Sequence, residues 1–180
     1  MFAKKVCDIV YCDSNVNSKN PHEINLVAEY SDEKRTIEEP IVYLIKSDDV
    51  IMKIGHTHTK GGLPAAVNFY LNAGNGSDHS GQVRFVVNCL IRCELNMGKS
   101  VEFWAIYQTG GFSPVKVRGL FGVGKVPGAP HAKHIEKLCL EQFFEKYGHL
   151  PPWNYQESAE NSYPPEFIKA YNEYKKKLGY

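Results

Sequence analysis

The chain has 180 residues and 20.4 kDa, with 21 Lys and Arg against 20 Asp and Glu, a net charge of +1. Its 43% hydrophobic and 23% charged residues are the balance of one globular domain, or a small domain with arms, and exclude disordered or collagen-like chains. No run approaches the 18 apolar residues of a membrane span, and near-neutrality excludes a partner held by bulk charge, although a local basic strip would still suffice for nucleic acid.

In chain order, residues 1–39 read as an N-terminal arm. Its short apolar stretch Val6–Tyr11 suits a strand or short helix, and a polar tract follows. Residues 41–55 predict a β-hairpin: IVYLIK, a Ser47-Asp48-Asp49 turn, then VIMKIG, with Gly55 ending the second strand. A turn centred near Asp48 would set Tyr43 opposite Lys53, both on one side. LPAAVNFYLN predicts a short helix with Pro64 at an early position. From Ser80, a plausible N-cap, Val83, Val86, Val87, Leu90, Ile91 and Leu95 recur at helical spacing up to Gly98.

VEFWAIYQ predicts a third strand. Residues 109–130 are rich in glycine and proline and predict a long loop, with a ribbon piece at PVKVR. Residues 131–147 predict a helix with Ile135, Leu138, Cys139, Phe143 and Tyr147 on one face, stopped by Gly148. A last helix is expected over 164–178.

The N-terminus lacks the continuous apolar core and cleavage site of a secretory signal. The cysteines are Cys7, Cys12, Cys89, Cys93 and Cys139, an odd and irregular set that predicts free thiols in a reducing, cytoplasmic compartment. Zinc at Cys89 and Cys93 would need two more ligands, so small buried hydrophobes are the better reading.

Gly119 to Lys125 matches the first part of a phosphate-binding loop. However, Val126 stands where Ser or Thr is needed, and Pro127 to Pro130 blocks the following helix. A glycine loop offering Lys116, Arg118 and Lys125 to phosphates is the better reading. Of His56, His58, His131 and His134, the solvated or capping reading is preferred for His58 and His131. A phenol beside an ammonium, as with Tyr43 and Lys53, lowers the cost of a phenolate; hairpin geometry alone favours a plain cross-strand pair.

Ile41-Val42-Tyr43, followed after ten residues by Lys53-Ile54-Gly55-His56, resembles the GIY-YIG nuclease superfamily, most closely its restriction-endonuclease branch, over residues 40–154. The resemblance implies an α+β fold: a small three-stranded, mainly antiparallel sheet flanked by helices, with N- and C-terminal extensions. The nuclease domain would span 40–155 and a C-terminal helical extension 156–180. By resemblance, Tyr43 is the general base or proton relay and Lys53 tunes it. His56 and Tyr70 face the same cleft, and Glu136 binds one divalent metal, Mg²⁺ or another. Asn154 resembles the C-terminal asparagine of many members.

The pattern departs at Ile41 and Val42, at Lys53, and at Ala66, where a phosphate-gripping arginine is expected; Lys60, Arg84 or Arg118 are candidates to replace it. The resemblance implies a metal-dependent, sequence-specific DNA endonuclease of type II restriction kind, acting on double-stranded DNA as a homodimer. The alternative is a catalytically silent nucleic-acid-binding module on the same fold.

Overall fold

The computed structural model describes residues 3–12, 25–30, 41–57, 62–73, 81–106, 115–118, 120, 122–126, 132–155 and 163–179, with backbone alone at 41, 115–118 and 123–126. The chain runs β1 (Ala3–Cys12), β2 (Asn25–Tyr30), β3 (Ile41–Ser47), β4 (Val50–Thr57), α1 (Gly62–Leu71), α2 (Gln82–Asn96) and β5 (Val101–Ile106). It continues through β6 (Val115–Arg118), β7 (Val123–Val126), α3 (Ala132–Tyr147) and α4 (Pro165–Lys177).

The expected three-stranded sheet is corrected to five strands in the order β2-β1-β5-β3-β4, antiparallel throughout. The α+β class holds. The segment read as an arm supplies two of those strands, and β1 lies inside the sheet between β2 and β5. A bulge between Lys5 and Cys7 disturbs the alternation of β1, so its apolar residues do not read as a clean strand. Its charges are accommodated on the sheet: Lys5 Nζ lies 2.6 Å from Asp8 and 2.8 Å from Glu102 on β5.

Each sheet face has its own core. On one, Tyr43, Ile45, Phe103 and Ala105 pack with Leu63, Ala66, Val67 and Tyr70 of α1 and Val87 and Ile91 of α2. On the other, Val42, Leu44, Ile54 and Ile106 meet Ala132, Ile135, Cys139, Leu140 and Phe143 of α3. Helix α4 docks on α2, where Phe85 lies 5.5 Å and 5.1 Å from the rings of Tyr171 and Tyr174.

Other expectations are adjusted. Gly55 lies within β4, which runs on to Thr57. Gly81, not Ser80, is the N-cap of α2, without a side-chain cap bond. The 109–130 loop contains the β6–β7 ribbon, so Lys125 sits in a strand and does not precede a helix N-terminus. Among the described residues no helix is long and apolar enough to cross a membrane. The cysteines are free, and burial pushes the thiols of Cys7 and Cys139 up to about 12 and about 11.

Deleting residues 1–12 removes an inner strand and the buried Val6 and Ile9. At about 1.5–3 kcal/mol per buried aliphatic side chain, those two alone take a large share of an ordinary ~5–15 kcal/mol stability. The truncated chain is expected to lose its cooperative thermal transition. A wild-type melting curve would mean that β1 is an appendage.

Candidate active site

The hairpin turn has two residues, Asp48 and Asp49, with Asp48 at φ +49°. Its backbone N–H donates to Ser100 O, and its carboxylate accepts from Ser100 N and Oγ. This turn pairs Ser47 with Val50 and Lys46 with Ile51, after which a bulge leaves Met52 unpaired and Ile45 faces Lys53. The expected Tyr43–Lys53 pairing is therefore corrected: Tyr43 pairs with Gly55.

The bulge decides which side chains meet. With the turn's register carried on unbroken, Tyr43 would face Ile54, and Lys53 and Gly55 would point to the other side. Shifted by one residue, Lys53 and Gly55 join Tyr43 on the α1 side, while Ile54 and His56 turn to α3.

Gly55 is required by contact. A Cβ on it would stand 2.5 Å from both Cζ and Oη of Tyr43, so the phenol lies directly over the glycine backbone. There Tyr43 Oη is 2.8 Å from Tyr70 Oη, with either hydroxyl able to donate. Their rings meet edge to face at 6.2 Å, and Phe103 supports both at 6.1 and 6.2 Å. Lys53, only 5% exposed, lies on the same face and has no hydrogen-bond or ion-pair partner among the described residues.

On the opposite side of the same strand, His56 Nδ1 lies 2.5 Å from Glu136 Oε2 of α3. Glu136 thus reaches the hairpin. Tyr43, Tyr70 and Lys53 lie on one face of β4, and His56 and Glu136 on the other. The two groups are one residue apart along a strand that is an outer edge of the sheet.

The backbone of that edge is held by the segment after α3. Asn154, 1% exposed, accepts from Ile54 N at 2.9 Å and donates to Ile54 O at 2.7 Å. Trp153 N donates to the carbonyl of the bulged Met52 at 2.8 Å. The carboxamide takes the place of a neighbouring strand at one residue, so Asn154 is committed to β4 through both its polar atoms.

The cationic candidates divide. Arg84 is exposed on α2, its guanidinium 4.1 Å from the ring centroid of Phe69. Ala66, where an arginine was expected, is buried on the same face of α1 as Tyr70. Lys116 and Lys125 are register partners in the ribbon, and Arg118 pairs with Val123; their side chains, and Lys60, His58 and His131, lie outside the described residues. His134 is exposed.

Sequence reasoning missed the clearance at Gly55, the support from Phe103 and the clamp by Asn154. A glycine inside a β-rich run is the signal that could have found the first, since it marks a close backbone approach or bulge.

No family model and no curated protein sequence matches this chain. Among solved structures it is similar to the restriction endonuclease HPY188I in complex with product DNA, at 19% identity and a TM-score of 0.41, over 89% of this chain and 82% of that one. It is also similar to a mutant of bacteriophage T4 EndoII, at 23% identity and a TM-score of 0.36, over 63% of this chain and 72% of the other. With TM-scores below 0.5 these likenesses lend no weight to a functional reading, which rests on the residues of the chain itself.

Two substitutions test the geometry. Gly55→Ala is expected to push the Tyr43 ring off the strand and cost about 1–3 kcal/mol, the scale of overpacking, read by thermal denaturation; an unchanged melting temperature would contradict the contact. Lys53→Met keeps the buried stem and removes the charge, so it is expected to leave stability unchanged or raise it. A clear loss would show that Lys53 holds the fold together.

Proposed function

We propose that the chain is a phosphodiester hydrolase, a divalent-metal-dependent DNA endonuclease whose reaction centre is the β4 edge. One observation carries the reading: the Tyr43–Tyr70 hydroxyl pair held over Gly55, on the same strand face as the buried Lys53 and one residue from the His56–Glu136 pair. Packing needs no such set on a sheet edge, whereas phosphodiester hydrolysis uses every part of it.

An attacking water must lose a proton near phosphorus. A phenol ordinarily titrates near about 10, so it takes that proton at neutral pH only where a cation favours the phenolate. Lys53 is the cation on that face. Tyr70, bonded to the Tyr43 hydroxyl, passes the proton on or steadies the phenolate by donating to it. On the other side of β4, Glu136 fixes the His56 ring through Nδ1.

No cluster of three metal-ligating side chains occurs among the described residues. A single carboxylate nevertheless fits a hard cation such as Mg²⁺, which is commonly held by one or two carboxylates, water and substrate phosphate. Glu136 would hold it. Once bound, the cation supplies charge stabilisation to the phosphate and the departing oxygen.

Sequence specificity of the type II restriction kind, a two-fold symmetric homodimer that would cut both strands, and phosphate contacts from Lys60, Arg84, Lys116, Arg118 and Lys125 complete the proposal. A second reading, a binding module without catalysis, is favoured by Ala66, a buried alanine in the place of a phosphate-gripping arginine.

Plasmid incubated with the protein and Mg²⁺ is expected to give discrete fragments, and EDTA to abolish them. A gel shift without cleavage would decide for the binding module. Tyr43→Phe is expected to slow cleavage by about 10²-fold or more, the scale of acid–base groups, and Glu136→Gln to abolish it while duplex binding persists. Wild-type rates in either variant would remove that residue from the mechanism.

A further inference from the structure

Asn88 is a buried polar residue of α2, 4% exposed, that the mechanism above does not use. Its Nδ2 donates to Tyr70 O at 2.7 Å and to Leu71 O at 3.1 Å, and its Oδ1 accepts from Arg92 Nε at 3.0 Å. The two carbonyls and the guanidinium fix which way the amide points, since a flipped group would set oxygen against oxygen.

Those carbonyls end α1, and the last four carbonyls of a helix have no partner within it. Helix α1 carries no basic side chain in its last turn. Ala73 N reaches Tyr70 O at 3.3 Å, a long bond for the terminal turn. A side chain from a different helix therefore closes α1, at the residue whose hydroxyl meets Tyr43. Phe103 supports the Tyr70 ring and Asn88 holds its backbone, so the position of the hydroxyl beside Tyr43 Oη is set from both ends.

We propose that Asn88 is a positioning residue for the reaction: it locks the last turn of α1 so that Tyr70 Oη stays within hydrogen-bond distance of Tyr43 Oη, and Arg92 orients its amide. The catalytic consequence rests on the nuclease reading, but the geometric one does not. A merely structural Asn88 would affect stability, and its loss would leave the Tyr70 hydroxyl in place in molecules that fold.

The test uses the full chain labelled with carbon-13 at tyrosine Cζ, with the Tyr70 resonance identified from Tyr70→Phe. In Asn88→Asp and Asn88→Ala, this resonance is expected to move towards the chemical shift of a solvent-exposed tyrosine. Single-turnover cleavage of saturating duplex DNA should fall about 10- to 100-fold, the cost of misplacing a reacting group by about 1 Å, with DNA affinity within about twofold and an altered pH–rate profile. Val86→Ala, a core truncation on the same helix, should leave the Tyr70 signal unchanged. A folded Asn88 variant with the wild-type Tyr70 signal overturns the proposal, whether or not the protein cuts DNA. Should both Asn88 variants fail to fold, Arg92→Ala decides: a smaller shift of the same resonance in the same direction supports the proposal, and no shift overturns it. Absence of cleavage by the wild type would sink the nuclease reading alone, because the resonance arm needs no substrate.

Discussion

A phenol can lie across a neighbouring strand only where that strand has no Cβ. The seating of Tyr43 on Gly55 is the contact on which the rest of the candidate site depends. It brings the Tyr43 hydroxyl to the outer edge of the sheet, within reach of Tyr70. It also requires the one-residue bulge at Met52, which sets Gly55 and not Ile54 opposite Tyr43. The same shift carries Lys53 to the phenol side and His56 to the glutamate side. One irregularity in the ladder thus sorts Lys53 and His56 onto two faces.

An edge strand is a poor place for such precision unless its backbone is held, because its outward N–H and C=O groups have no neighbouring strand. Asn154 and Trp153 hold it at Ile54 and Met52, on either side of Lys53. Asn88 does the corresponding work for the end of α1. Both asparagines are buried and have their amide nitrogen and oxygen both bonded, which offsets the desolvation cost that an unpaired carboxamide would carry. Lys53 has no such compensation among the described residues. Lys53 lies on the phenol face of the strand, where the proposed reaction would use its charge.

The local elements were legible where periodicity is strong. The Val86, Val87 and Ile91 face of α2 and the Ile135, Cys139 and Phe143 face of α3 follow from apolar spacing, and Asp48-Asp49 follows from turn chemistry. The size of the sheet was not legible. The bulge between Lys5 and Cys7 breaks the period of β1, and the Lys5, Asp8 and Glu102 charges look like an exposed arm until they are seen to bridge across strands. Tyr43, Lys53 and His56 were named through the family resemblance, since hairpin geometry alone favoured a plain cross-strand pair. Their distribution over two faces could not be read, because a bulge at Met52 leaves no composition signal and reverses the side of every residue after it. Asn88, and the bonds that Asn154 makes to β4, escaped for another reason. Their partners are backbone groups 17, 18 and 100 residues away in the chain, and no local pattern announces a long-range bond to a carbonyl.

The account stands on a single claim, that a phosphodiester is bound across the β4 edge so that groups from both faces reach it. The structure of the Glu136→Gln variant with an uncleaved DNA duplex tests this most directly. The account predicts the scissile phosphate at the outer edge of β4 beside Gly55, with Tyr43 Oη towards the attacking side and the side chain at position 136 towards the opposite one. A duplex seated on the β2 edge or on α4, with no phosphate near Gly55, would contradict it.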